Sequence, residues 1–303
     1  MVMGCPMAAG SGTRWAVAII AVLVVIGLVI TLFFLALIRG GETEETVGYG
    51  DKVAVVDLKG TILASEDIIR QLKNFEKQSS VRAILLRVDS PGGSAAASQE
   101  IYEEVARIRD HTKPVVVSMG AMAASGGYYV SLGASKIVAN PATVTGSIGV
   151  ISQFMDVSEL LKKIGIRDET VKGGKFKDAG TPFRAMTGEE KAYFEKLTKN
   201  IHDQFIADVV KERRLPLDTV RAYADGRVFS GEQAKSIGLV DTLGSIEDAI
   251  RLAGKLGKIK GEPAVVRERR RVSLVERFFE SAKEGVVGSR LNEPIVEYKF
   301  VAP

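Results

Sequence analysis

Two glycine pairs stand behind runs of apolar residues: Ser90-Pro91-Gly92-Gly93 follows the run 83–88, and Ala124-Ser125-Gly126-Gly127 follows the run 114–119. Each pair opens a predicted helix. The first turn of a helix carries backbone N–H groups without intrahelical acceptors, and glycine lets a ligand approach them closely. Two such turns at neighbouring strand ends could therefore hold a developing oxyanion. Ordinary strand-to-helix connections that need glycine for a positive φ have the same pattern. Ser125, flanked by Ala123, Ala124 and Gly126, would present its hydroxyl at a helix start to a substrate carbonyl. A plain N-cap serine looks similar.

A serine nucleophile needs a base. His111 and His202 are the histidines of the chain, and neither has a serine-and-carboxylate context, so both read as surface or partly buried residues. The remaining candidate is a lysine whose pKa is lowered by desolvation or neighbouring dipoles. Lys172, Lys175 and Lys177 crowd one segment, Val171-Lys172-Gly173-Gly174-Lys175-Phe176-Lys177-Asp178, and spacing alone does not choose among them. The lone cysteine, Cys5, lies in a Gly/Ala/Ser-rich leader, which rules out an intrachain disulfide and a thiolate metal cluster. No metal and no cofactor are expected.

The elements that must position these groups alternate. Residues 53–58 and 83–88 read as strands with an amphipathic helix over 66–77 between them. A helix over 95–109, a strand over 114–119, a helix over 125–132 and a strand over 136–139 follow, with a further strand beginning in 146–151 after a tight turn. Thr187-Gly188-Glu189-Glu190 has the form of a capping box and should start a long outer helix reaching 210. A turn, short helix and strand fit 225–243, and a basic run at 267–271 precedes an amphipathic stretch over 272–279. The order predicts an α/β fold with a mainly parallel sheet covered by helices.

The chain has 303 residues, 46% hydrophobic and 26% charged, a globular composition. Its formal charge of +4, from 41 basic and 37 acidic residues spread along the sequence, gives no support to a nucleic-acid partner. Segment 15–38 is free of charge and longer than the roughly 20 residues that cross a bilayer, so it reads as a transmembrane anchor. It lacks the short apolar core and small-residue exit of a cleaved signal peptide. The predicted layout is a tail over 1–14, an anchor over 15–38 in contact with the lipid bilayer, a linker over 39–51, a catalytic domain over 52–255 and an extension over 256–303. Arg14 and Arg39 balance across the anchor, so charge leaves its orientation open.

Together the motifs resemble the signal peptide peptidase A family of serine peptidases, which shares its fold with Clp peptidase and crotonase. The resemblance covers roughly 53–243. It rests on Asp89-Ser90-Pro91-Gly92-Gly93, on Ser118-Met119-Gly120-Ala121-Met122-Ala123-Ala124-Ser125-Gly126-Gly127-Tyr128-Tyr129, and on Thr145-Gly146-Ser147-Ile148-Gly149-Val150. Lys177-Asp178 followed by Pro182, and Asp225-Gly226-Arg227-Val228, extend it. The resemblance implies a repeated ββα/βα spiral, Ser125 as nucleophile, Lys177 as general base and Ser147 as the residue that holds the lysine amine. It also implies backbone N–H groups of Gly93 and Gly126 as the oxyanion hole. Remnants of secretory signal peptides are the implied substrates, with the catalytic domain outside the cell membrane. The implied assembly is a homo-oligomeric ring in which serine and lysine can come from adjacent copies. Two other readings remain: an acyl-CoA hydratase or isomerase, whose fold also pairs backbone donors, and a catalytically idle membrane scaffold.

Overall fold

The computed structural model describes residues 11–38, 43–47, 50–269 and 297–299. The leader with Cys5 and the amphipathic stretch over 272–279 lie outside them. The chain divides into two units, one containing the N-terminal helix and the other the sheet.

In the first unit, α1 (Ser11–Ile38) is one continuous helix of 28 residues. Its described side chains are Trp15 and those over 19–31. Among the described residues no helix is long and apolar enough to cross a membrane.

The second unit runs β1 (Thr43–Val47), β2 (Lys52–Lys59), α2 (Glu66–Lys77), β3 (Val81–Ser90), β4 (Gly92–Ser94), α3 (Ala95–His111), β5 (Val115–Ala124), α4 (Gly126–Ser131), β6 (Lys136–Ala139) and β7 (Val144–Gly146). It continues with α5 (Ser158–Lys163), α6 (Gly188–Arg213), α7 (Leu217–Tyr223), β8 (Val228–Ser230), α8 (Gly231–Ser236), β9 (Thr242–Leu243), α9 (Ile246–Leu256), β10 (Ala264–Arg269) and β11 (Glu297–Lys299). The main sheet has the order β1-β10-β2-β3-β5-β6-β9, and β7 pairs with both β5 and β8. Pairs β10/β2, β2/β3, β3/β5, β5/β6, β5/β7 and β6/β9 are parallel, whereas β7/β8 is antiparallel. The fold is α/β with a mostly parallel sheet.

Both faces of the sheet are covered, as the near-continuous apolar runs require. Side chains alternate along each strand. Ala54, Val56, Ile84, Leu86, Val115 and Val117 pack with Leu72, Phe75, Ile101, Val105 and Phe205 on one side. Val53, Val55, Ala83, Leu85 and Val116 pack with Ala249, Ile250 and Ala253 of α9 on the other. Each fully buried Leu, Ile or Val of this kind contributes roughly 1.5–3 kcal/mol.

The structure departs from the predicted elements in three places. The basic run at 267–271 begins inside β10, where Arg267 pairs with Val55 and its guanidinium reaches Asp57 at 3.2 Å. The predicted strand over 146–151 lies earlier, as β7, because Gly146 and Ser147 both take positive φ and end the extended run. The strand over 114–119 extends to Ala124 as β5, since small residues let it continue beyond the large apolar ones. α6 begins at the predicted capping box: the Thr187 hydroxyl accepts from Glu190 N and the Glu190 carboxylate accepts from Thr187 N.

Candidate active site

The extra length of β5 creates the site. The strand pairs with β6 over 116–118 and then with β7 over 122–124, so its end is carried past one neighbour onto another before the chain turns into α4. Ser125 sits at that turn with φ 54° and ψ −116°, and its N–H donates to the Gly146 carbonyl at 2.8 Å. A non-glycine residue held there is strained, by about 1–3 kcal/mol. The residue is 1% exposed. Its Oγ is buried without a hydrogen-bond partner among the described residues. A structural serine at a helix start would use its hydroxyl as a cap; Ser125 makes no such bond to α4.

The short helix behind the serine is held from several sides. The Tyr128 hydroxyl donates to the Leu239 carbonyl at 3.1 Å, and burial pushes that phenol up. The Tyr129 hydroxyl bonds Asp208, and its ring packs edge-on against Tyr102 at 5.3 Å and Phe205 at 4.8 Å. A Cβ on Gly127 would lie 2.9 Å from the Ser90 carbonyl, so glycine is what allows α4 to approach the first glycine turn.

That first turn is itself anchored to β5. Ser90 pairs with Ala123 across a register shift, and the Asp89 carboxylate accepts from Met122 N at 3.1 Å. The Ser90 hydroxyl accepts from Gly92 N at 3.1 Å. Gly92, Gly93 and Ser94 form the strand β4 rather than a bare turn, bridged in parallel to Ile62. Gly93 has φ 153°, and a Cβ there would lie 2.2 Å from the Ile62 carbonyl oxygen. No other residue fits that position without moving the backbone.

The structure thus brings Ser125, the two glycine turns with Gly93 and Gly126, and Ser147 into one neighbourhood. Ser147 directly follows the Gly146 that receives the Ser125 N–H, has φ 52°, and donates its own N–H to the Arg227 carbonyl at 2.9 Å.

Lys177 is placed differently. It is exposed, on a segment without helix or strand between α5 and α6. The other two lysines of the trio are engaged, Lys172 with Asp178 and Lys175 with Glu189. The Lys177 amine has no such partner among the described residues, and no hydrogen bond joins it to Ser125. The segment is held at its neighbour: Arg184 Nε donates to Asp178 at 3.0 Å and Arg184 Nη1 to Glu190 at 2.9 Å. The guanidinium holds the Asp178 carboxyl well below the usual range and the Glu190 carboxyl at about 2. Exposed Met155, Leu160, Ile164, Ile166, Val171, Phe176 and Phe183 line the same stretch, an apolar surface of the kind that marks protein contacts.

The two histidines fall outside this arrangement. His111 is exposed at the end of α3. His202 lies 3.3 Å from the Ile148 carbonyl and lines a groove of about 750 Å³ with Phe154, Met186 and Phe194. Neither Ser125 nor Lys177 lines that groove. Sequence reasoning missed the tasks of Asp89 and Arg184. Asp89 stood in a quoted motif, but its N–H donor is 33 positions away and leaves no local signal. Arg184 lacks any motif, though its six-residue offsets to Asp178 and Glu190 keep it within one loop.

Comparison with known proteins closes the question of family. Residues 107–260 match the model of peptidase family S49, and residues 52–147 match that of Clp protease. The chain belongs to peptidase family S49. A Methanocaldococcus jannaschii protein, named a protease by inference, is 36% identical to this S49 peptidase over 265 residues, 82% of this chain and 84% of its own. An Enterococcus faecium protein named by inference signal peptide peptidase SppA is 36% identical over 224 residues, covering 69% and 65%. The chloroplastic serine protease SPPA of Arabidopsis thaliana is 34% identical over 226 residues, 74% of this chain and 32% of that protein. This S49 member is a serine peptidase.

Proposed function

We propose that this S49 peptidase is a membrane-anchored endopeptidase that uses Ser125 as nucleophile and Lys177 as general base to degrade remnant signal peptides. The observation that carries the reading is the Ser125 hydroxyl: buried, without a hydrogen-bond partner among the described residues, and held in strained backbone at the second of the two glycine turns. A hydroxyl left without a partner is destabilising, and a waiting nucleophile explains it. Lys177, whose amine is unengaged among the described residues while Lys172 and Lys175 form ion pairs, suits the base.

Because no bond joins the two groups within one chain, the reading has the base delivered from an adjacent copy in a homo-oligomeric ring. The exposed apolar residues beside Lys177 support such a contact. Only an amine with a free lone pair can accept the serine proton. In the reaction, Lys177 accepts the Ser125 proton and Oγ bonds the scissile carbonyl carbon. The resulting oxyanion takes hydrogen bonds from the N–H groups of Gly93 and Gly126. The ammonium returns its proton to the departing amine, leaving an acyl-enzyme that water, deprotonated by the same lysine, then clears. Ser147, beside the serine, would steady the amine.

The substrate class follows the name of the Enterococcus faecium relative. The charge-free sequence 15–38 supports an anchor in the cell membrane, with the catalytic unit on the extracytoplasmic side where such remnants arise.

Hydrolysis of an apolar, small-residue-containing peptide tests the reading. Ser125→Ala and Lys177→Ala chains should each be inactive alone, and a refolded mixture of the two should regain activity through mixed contacts. Full activity in either single variant would remove that residue from the chemistry; inactive singles with no recovery on mixing would confine the dyad to one chain.

A further inference from the structure

Two helices open at the site, α3 behind Gly93 and α4 behind Ser125, and each carries a buried tyrosine. Tyr129 N donates to the Ser125 carbonyl at 2.8 Å, so one helical turn separates Ser125 from Tyr129. α3 starts at Ala95, capped by the Ser94 that follows Gly93, and sets Tyr102 against the Tyr129 ring. Both rings are buried, and both hydroxyls leave this apolar seam toward α6. The Tyr129 hydroxyl donates to the half-buried Asp208, and the Tyr102 hydroxyl donates to Glu212 at 2.8 Å. Residues 208 and 212 lie one turn apart on one face of α6. Glu212 also accepts from Arg109 Nη1 of α3 at 2.7 Å.

The geometry points to Asp208 as a positioning residue for hydrolysis: through the Tyr129 hydroxyl it fixes the rotation of α4, and with it the aim of Ser125 Oγ and of the Gly126 N–H. An apolar seam would pack as well with phenylalanine at 129, and drawing a carboxylate partly out of water costs stability that a well-packed apolar pair does not. What the hydrogen bond adds is direction, which dispersion contacts lack. Rotation matters here because α4 is only six residues long, and a small roll displaces both groups at its start. Glu212 ties α3 to the same face of α6, so the two glycine turns are referred to one helix.

The assignment deepens the peptidase reading and rests on it for the chemistry at Ser125. It is tested in the full chain with Asp208→Ala, Asp208→Asn, Tyr129→Phe and the double variant Asp208→Ala/Tyr129→Phe, measuring peptide hydrolysis per serine titrated with a fluorophosphonate. Misaimed groups cost turnover rather than binding, so Asp208→Ala and Tyr129→Phe should each lower kcat per titrated serine by about ten- to a hundredfold, with KM within about twofold. The double variant should lose no more than either single one, since both remove the same bond. Asp208→Asn keeps an acceptor oxygen and should recover most of the rate. The pH midpoint of labelling should stay that of the wild type in every variant, because the base is untouched. A merely structural role would reduce the number of titratable serines and leave kcat per serine unchanged; that result overturns the assignment. So do additive losses in the double variant, an Asp208→Asn chain as slow as Asp208→Ala, or a shifted pH midpoint. If Asp208→Ala does not fold, Tyr129→Phe, which keeps the ring, decides by the same kcat. If the wild type neither hydrolyses peptide nor labels at Ser125, the peptidase reading fails separately. The Asp208 bond is then judged by hydrogen exchange over residues 126–131, which should speed up in Tyr129→Phe, and unchanged exchange overturns it.

Discussion

Replacing Ser125 by glycine should abolish hydrolysis and make the protein more stable. Two penalties meet at this residue. Its φ of 54° places a side chain where only glycine is comfortable, at about 1–3 kcal/mol. Its Oγ is buried without a partner among the described residues, which costs about 1–3 kcal/mol more. Glycine relieves both and gives back roughly 0.5–1 kcal/mol in unfolded-chain entropy. The net expectation is a gain of about 3 kcal/mol, or roughly 6–12 °C in Tm for a unit of this size. Alanine relieves only the hydroxyl, so Ser125→Ala should gain less, and the gap between the two variants isolates the backbone strain. Thermal unfolding should be compared in a Lys177→Ala background, which removes any lysine contact from a neighbouring copy. A Ser125→Gly chain that unfolds at or below the temperature of its parent refutes the claim that strain and an orphaned hydroxyl are stored at Ser125.

Three further outcomes follow from the same geometry. Gly93→Ala must push the Ile62 backbone away from a 2.2 Å approach and shift the Gly93 N–H with it; on the proposed oxyanion role, steady-state kinetics should show kcat lower by about 10²–10³ with the fold intact by circular dichroism. Arg184→Ala should free the Lys177 segment, reducing kcat more than it raises KM, and Arg184→Lys should recover little because one ammonium cannot serve Asp178 and Glu190 together. Since Glu190 titrates lower in the folded chain, its contribution is full above the ordinary carboxylate value of 4.5 and is lost as pH falls from there toward about 2. Hydrogen-exchange protection around residues 178–190, taken relative to the intrinsic rate at each pH, should therefore fall between about pH 4.5 and 2 in the wild type, and no such fall should appear in Arg184→Ala.

Much of this arrangement was legible in the sequence. Apolar runs such as 83–88 alternate with amphipathic helices, and a parallel sheet covered on both faces is the packing that buries such runs. The capping box at Thr187 is a local hydrogen-bond exchange and could be read from four residues. Ser125 announced itself through its small neighbours, but its strain could not be read, because φ there is set by β5 pairing with β7 after leaving β6, a long-range event. Gly93 looked like turn glycine, while its requirement comes from Ile62, distant in sequence. The same holds for β11: three residues near the end of the sequence carry no local mark of their pairing with β4. The choice of Lys177 over Lys172 and Lys175 rested on resemblance alone, because three lysines within six positions carry no local signal that separates them.

The most direct test of the central claim is the reaction of the protein with a serine-directed fluorophosphonate, mapped by mass spectrometry and timed across pH. The account predicts a single adduct on Ser125, formed faster as pH rises and lost in Lys177→Ala. An adduct on another residue, or Ser125 labelling that proceeds unchanged without Lys177, would contradict it.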